Sequence, residues 1–106
     1  MTGIEKSSGN VYADLGRPDS EEMLVKSRLA AKIGEIITKR HLTQQQAADI
    51  LAMPQSKVSN MLRGQFRGIS EVKMIECLNL LGRDIQIVVK KAPGNHAEGH
   101  TRVIFA

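Results

Sequence analysis

The chain predicts a mainly all-α fold, a small helical bundle followed by one short C-terminal β-strand. Three observations point there. Apolar residues make up 42% of the 106 but aromatics only 3%, so Leu, Ile, Val, Ala and Met must fill the core. Apolar residues recur at helical spacing in four stretches between Pro18 and Gly82. At Asp84 the period changes from helical to two. A chain of this length forms one domain with a single modest core. Its expected parts are an N-terminal arm at 1–18, a helical domain at 19–82, and a strand and tail at 83–106.

The arm has several small polar residues and no sustained periodicity. Val11, Tyr12 and Leu15 are its apolar anchors. Pro18-Asp19-Ser20-Glu21-Glu22 is a helix start: Asp19 is positioned to cap, and acids crowd the positive end of the helix dipole. This helix should run to about Arg40. Leu29, Ile33, Ile36 and Ile37 form its apolar stripe, with Met23 and Leu24 extending it backward. Gly34 inside it costs about 1 kcal/mol relative to Ala, which suggests close approach of a neighbouring helix.

The stretch Leu42 to Gly64 reads as two short helices joined by a tight turn. The first starts at Thr43 and ends near Leu51; the second runs from about Gln55 to Arg63. Thr43 and Gln46 match a capping box. Ala47, Ala48, Leu51, Met53, Val58, Met61 and Leu62 supply an inner face. Two of these are alanines, small enough to let the helices cross closely. Gln55, Ser56, Lys57, Ser59, Asn60 and Arg63 fall on the other faces of the second helix. Amides, hydroxyls, a Lys and an Arg suit base edges and phosphates.

The stretch resembles the helix-turn-helix of the Cro/lambda-repressor-like (Xre) family. The resemblance rests on Thr43-Gln44, Ala48, the Leu51, Met53, Val58 and Met61 set, and Ser59 to Gly64. It implies a lambda-repressor-like bundle in which Gln44 contacts the phosphate backbone and the Gln55 to Asn60 face enters the major groove. Two positions depart from the family's pattern. Ala52 stands where a turn glycine is usual, so a Cβ must be accommodated there. Pro54 stands where a Ser or Thr cap is common; it offers no capping oxygen, though its fixed φ suits a first turn. The opening Asn10 to Gly16 is also similar to a subgroup of the family found beside toxin genes.

Gln65 to Gly68 reads as a loop. Ser70 then caps a fourth helix, with Ile69 and Met74 spaced as a hydrophobic staple. Met74, Ile75, Leu78 and Leu81 follow, and Gly82 ends the helix. In Asp84 to Lys91, Ile85, Ile87 and Val89 alternate with Gln86, Val88 and Lys90. A lone strand needs a partner. Val103 to Phe105 is one; the same strand of a second copy is favoured, because a two-fold dimer presents two reading helices to palindromic half-sites. Ala92 to Arg102 is polar and rich in breakers, hence loop or tail.

Charge is uneven. Residues 1–22 hold five acids and two bases, a net −3; the rest holds 13 bases and six acids, a net +7. From Pro54 to Arg67 there are three bases and no acid. That excess alone equally describes a solvated face, but here it overlaps the proposed reading helix, as an electrostatic footprint for phosphate should.

Other chemistry is weakly supported. His96 and His100 are four apart, but Gly94 and Gly99 argue against a helix there and nothing completes a metal site. There is no glycine-rich phosphate loop after a strand and no nucleophile with an evident partner, so neither enzyme activity nor a cofactor or metal is expected. RNA recognition would have only Tyr12, Phe66 and Phe105 for stacking. No apolar run approaches the roughly 18 residues of a membrane span, no signal peptide is visible, and the single Cys77 allows no intrachain disulfide. A cytoplasmic setting is expected.

The expected function is sequence-specific binding of double-stranded DNA by a homodimeric transcriptional regulator. Gln55, Ser56, Ser59 and Asn60 would read bases. Lys57 and Arg63 would meet bases or phosphates, and Gln44 and Arg67 phosphates. Ile85, Ile87 and Val89 would form the dimer strand. The alternative, compatible with the first, is an antitoxin of a type II toxin–antitoxin pair that binds a toxin protein and represses its own operon.

Overall fold

The computed structural model describes residues 18–94 and 98–106 of the chain. Four helices follow in order: α1 Pro18–Lys39, α2 Gln44–Leu51, α3 Gln55–Leu62 and α4 Glu71–Leu80. The described residues divide into two compact units. One is Lys26–Gln86; the other joins the start of α1, through Val25, with the chain from Ile87 on. Of the arm expected at 1–18, residues 1–17 lie outside the described residues, and Pro18 already belongs to α1.

In α1 the helix begins at Pro18, two residues earlier than a cap at Asp19 allows, so Asp19 falls inside the first turn. Proline suits this first position because its φ is preset and its missing N–H would have had no helical partner. Leu29, Ile33, Ile36 and Ile37 are all buried, as their spacing requires. Leu24 does not extend that stripe: it is 60% exposed. It stands five residues before Leu29, well round the helix, whereas Val25, four residues before, is buried. On the solvent side Glu35 pairs with Lys32 at 3.0 Å and Lys39 at 3.2 Å.

Within Lys26–Gln86, α2 packs on both α3 and α4. The centre is filled by Ile33, Leu51, Val58, Met61, Met74 and Cys77, none of them measurably exposed. Gly34 has the use its position suggests. A Cβ built there would stand 3.3 Å from the Leu62 side chain of α3, so α1 and α3 approach at the one place α1 lacks a side chain.

Every helix ends in the same way. The backbone turns left-handed at the end of the helix, at the cap itself in α2 and one residue past it in the others, and two amides reach back to the last carbonyls, the Schellman arrangement. After α3 the turn residue is Gly64, with Gln65 N–H donating to the Asn60 carbonyl at 2.8 Å. After α4 it is Gly82, with Arg83 N–H donating to Leu78 at 2.9 Å. After α1 and α2 it is His41 (φ 55°) and Ala52 (φ 54°), residues that carry a Cβ. Ser70 caps α4 by accepting from Lys73 N–H at 3.0 Å, and the staple residues Ile69 and Met74 are both buried.

No strand is present among the described residues. The alternation at Ile85 to Lys90 predicts one, with one face covered. Instead Ile87, Val88 and Val89 are 79%, 76% and 91% exposed, and only Ile85 is half-buried. Alternation states which side chains share a face. A strand also requires a ladder partner, and Val103 to Phe105 does not supply one. The tail is nonetheless tethered. Glu21 accepts from Thr101 N–H at 2.9 Å and lies 2.8 Å from His100 Nδ1.

Candidate nucleic-acid interface

At the start of α2, Thr43 and Gln46 close the capping box on each other. The hydroxyl accepts from Gln46 N–H at 3.1 Å, and the Gln46 side-chain Oε1 accepts from Thr43 N–H at 2.8 Å. Gln45 donates to Asp49 at 3.0 Å, along the helix. Of the three consecutive glutamines, this leaves Gln44, exposed at the first helical position, as the side chain beside the outward-pointing N–H groups of the helix end. That is where an anion such as a phosphate is best received.

The turn to α3 is set by Ala52 in the left-handed region (φ 54°, ψ 46°), with Met53 N–H reaching back to the Ala48 carbonyl at 3.1 Å. Met53 is buried. Pro54 takes the N-cap position of α3 in an extended conformation and supplies no side-chain bond, as its lack of an oxygen dictates. Its carbonyl accepts from Lys57 and Val58 N–H at 3.0 and 3.1 Å.

Val58 and Met61 fix which way α3 faces, because both are fully buried. Gln55, Ser56 and Lys57 are consequently exposed, while Ser59 and Asn60 are half-buried at the margin. Arg63, at the C-cap, folds back over that margin. Its Nη1 donates to Ser59 Oγ at 2.8 Å and its Nη2 to Asn60 Oδ1 at 2.6 Å. The residues expected to read bases therefore fall into two groups. Gln55, Ser56 and Lys57 stand separately near the helix start. Ser59, Asn60 and Arg63 form one bonded cluster at its end.

Arg67 is exposed in the loop after α3. Its backbone carbonyl accepts from Lys26 Nζ at 3.1 Å, and Lys26 is only 3% exposed. Sequence reasoning missed this lysine. The signal was its position three residues before Leu29 and seven before Ile33, on the buried stripe itself. Phe66 in the same loop is buried and so offers no stacking platform.

Other titratable groups have structural uses. Burial pushes the Cys77 thiol up in pKa, with Lys73 opposing, and its Sγ lies 3.6 Å from Met53 Sδ, so the thiol is inert packing. Burial pushes Glu21 upward, but the Thr101 amide, the His100 ring and Arg102 together outweigh it and hold the carboxyl below its usual range. His100 is thus engaged by Glu21, and its sequence companion His96 lies outside the described residues. Among the described residues no three His, Cys, Asp or Glu side chains are placed to share a metal ion. None of their helices is long and apolar enough to cross a membrane.

Comparison with known proteins matches this geometry. A family model described as a helix-turn-helix domain matches residues 11–90. A solved structure described as an XRE-family transcriptional regulator superposes with a TM-score of 0.78 at 35% identity, over 84% of this chain and 100% of that one. No curated protein matches the chain.

Proposed function

Because this chain belongs to the XRE-type helix-turn-helix family and is a DNA-binding transcriptional regulator, we propose that α3 is its reading helix and enters the major groove. The observation that carries this is the facing of α3. Its apolar residues Val58 and Met61 are wholly buried, and its amide, hydroxyl and lysine at Gln55, Ser56 and Lys57 are exposed together. Gln55, Ser56, Ser59 and Asn60 contact base edges. Lys57 and Arg63 contact bases or phosphates. Gln44, at the α2 terminus, and Arg67, on its pinned loop, grip phosphates on either side of the groove.

The working unit is a homodimer. The exposure of three successive β-branched residues, Ile87 to Val89, supports a protein partner there, and pairing of Ile85, Ile87 and Val89 with a second copy would supply the missing ladder. The same exposed segment also favours the second reading, an antitoxin that additionally captures a toxin protein. An adjacent reading frame for a small basic protein would support it.

Selection of bound sequences from random duplex DNA at fixed salt tests the proposal. The selected site should be palindromic, with half-sites about one helical turn, or a multiple of it, apart. Gln55→Ala should lose preference at one base pair per half-site, by roughly 1–3 kcal/mol. An equal loss on all duplexes would move Gln55 to the phosphate class. Selected sites without two-fold symmetry would remove the dimer.

A further inference from the structure

The bonded cluster at the end of α3 restricts what that end can read. A free asparagine side chain offers one acceptor and two donors, which is how it pairs with the N6 donor and N7 acceptor of adenine. Asn60 is not free in this sense. A guanidinium carries donors and no acceptor, so Arg63 can face only the oxygen of the Asn60 amide, which it does at 2.6 Å. The amide nitrogen is thereby turned the other way. Ser59 likewise commits an acceptor site: its oxygen accepts from Arg63 at 2.8 Å, and its O–H is left to donate. Two of the five guanidinium N–H groups are used in these bonds and the others remain.

We infer that Arg63 is a specificity-setting residue, which makes the Ser59–Asn60–Arg63 end of α3 a donor-rich surface that selects guanine and rejects adenine. Guanine presents two adjacent acceptors, N7 and O6, in the major groove. Adenine places an NH2 donor where guanine has O6, and that donor would face the Asn60 amide N–H groups head-on. Gln55, one turn and more away, has no side-chain partner among the described residues and keeps both its acceptor and its donors. The two ends of α3 therefore differ in chemistry although both carry amides. Toward Asn60, Arg63 acts as a positioning residue; toward the base it adds its remaining donors.

The inference rests on α3 being the reading helix, and the test separates the two. The full chain and the variants N60A, R63M and N60D are each put through selection from random duplex DNA, with folding checked by circular dichroism. In the parent protein one position per half-site should be guanine and should become indifferent in N60A. R63M releases the Asn60 oxygen, so preference at that position should move toward adenine, on the order of tenfold relative to guanine. N60D keeps the bond to Arg63 but turns an acceptor outward, so preference should move to cytosine, whose N4 group donates. Weaker overall binding by R63M leaves the ratio of bases measurable at lower salt.

Adenine at the position lost in N60A, in the parent protein, would overturn the inference while leaving α3 as the reading helix. So would guanine retained unchanged in both R63M and N60D, or no position altered by N60A. A parent protein that selects no sequence at all would instead remove the premise.

Discussion

Replacing Ala52 with glycine should stabilise the protein. Ala52 holds the turn between α2 and α3 at φ 54° and ψ 46°, where an L-residue's Cβ crowds the following carbonyl oxygen. That conformation costs about 1–2 kcal/mol for a residue with a Cβ. Glycine avoids this cost but brings a more flexible unfolded chain, which takes back roughly 0.4–1 kcal/mol. The net gain is about 0.5–1 kcal/mol. Nothing else should change, because Ala52 is exposed and its methyl packs no core, and the two bonds from Ala52 and Met53 N–H to Asp49 and Ala48 are backbone bonds. In a domain of this size that gain corresponds to a rise in Tm of about 2–8 °C. Urea and thermal unfolding followed by far-ultraviolet circular dichroism would measure it. Ala52→Val, β-branched in the same conformation, should move the other way. An Ala52→Gly variant less stable than the parent, with Ala52→Val tolerated, would show that the turn does not pass through the left-handed region and would undo the placement of α3.

Two further predictions concern residues outside the reading helix. Lys26→Met keeps the buried stem but removes the ammonium that holds the Arg67 carbonyl. It should lower unfolding stability by about 1.5–3 kcal/mol, the range for a hydrogen bond to a charged group, and loosen the 65–68 loop in hydrogen exchange. A variant that gains stability would mean that desolvation of the ammonium outweighs its bonds. Glu21 has a lowered pKa, so its hold on Thr101 is complete at pH above the ordinary glutamate range and is lost as pH falls through the lowered value. The Thr101 amide should be protected from exchange near neutral pH and lose protection in acid, and Glu21→Ala should abolish it at neutral pH. Protection that persists in Glu21→Ala would assign the tether to another group.

Much of the fold was legible because it is encoded within a few residues. The Thr43–Gln46 box, the Ser70 cap, the Gly82 terminus and the small Gly34 all announce themselves by residue type at a fixed offset, and each has the expected role. Leu24 was misjudged although helical spacing alone puts it off the stripe, five residues before Leu29. The other missed features depend on a partner. Lys26 is charged but buried, because a carbonyl 41 residues away receives it. Asp84 to Lys91 has the alternation of a strand, but a ladder depends on a second strand that periodicity does not supply.

Which residue types line α3, and that Val58 and Met61 turn inward while Gln55 to Lys57 turn outward, follow from the one-dimensional pattern, because helical periodicity alone assigns faces. That Arg63 closes on Ser59 and Asn60 was decided only in three dimensions. All three side chains share one face, yet their spacing does not say whether each donor goes to solvent, to DNA or to its neighbour. The same holds for the loop that Lys26 pins. Local order is written in short-range residue types, whereas the use made of each polar atom depends on what the folded chain brings within about 3 Å of it.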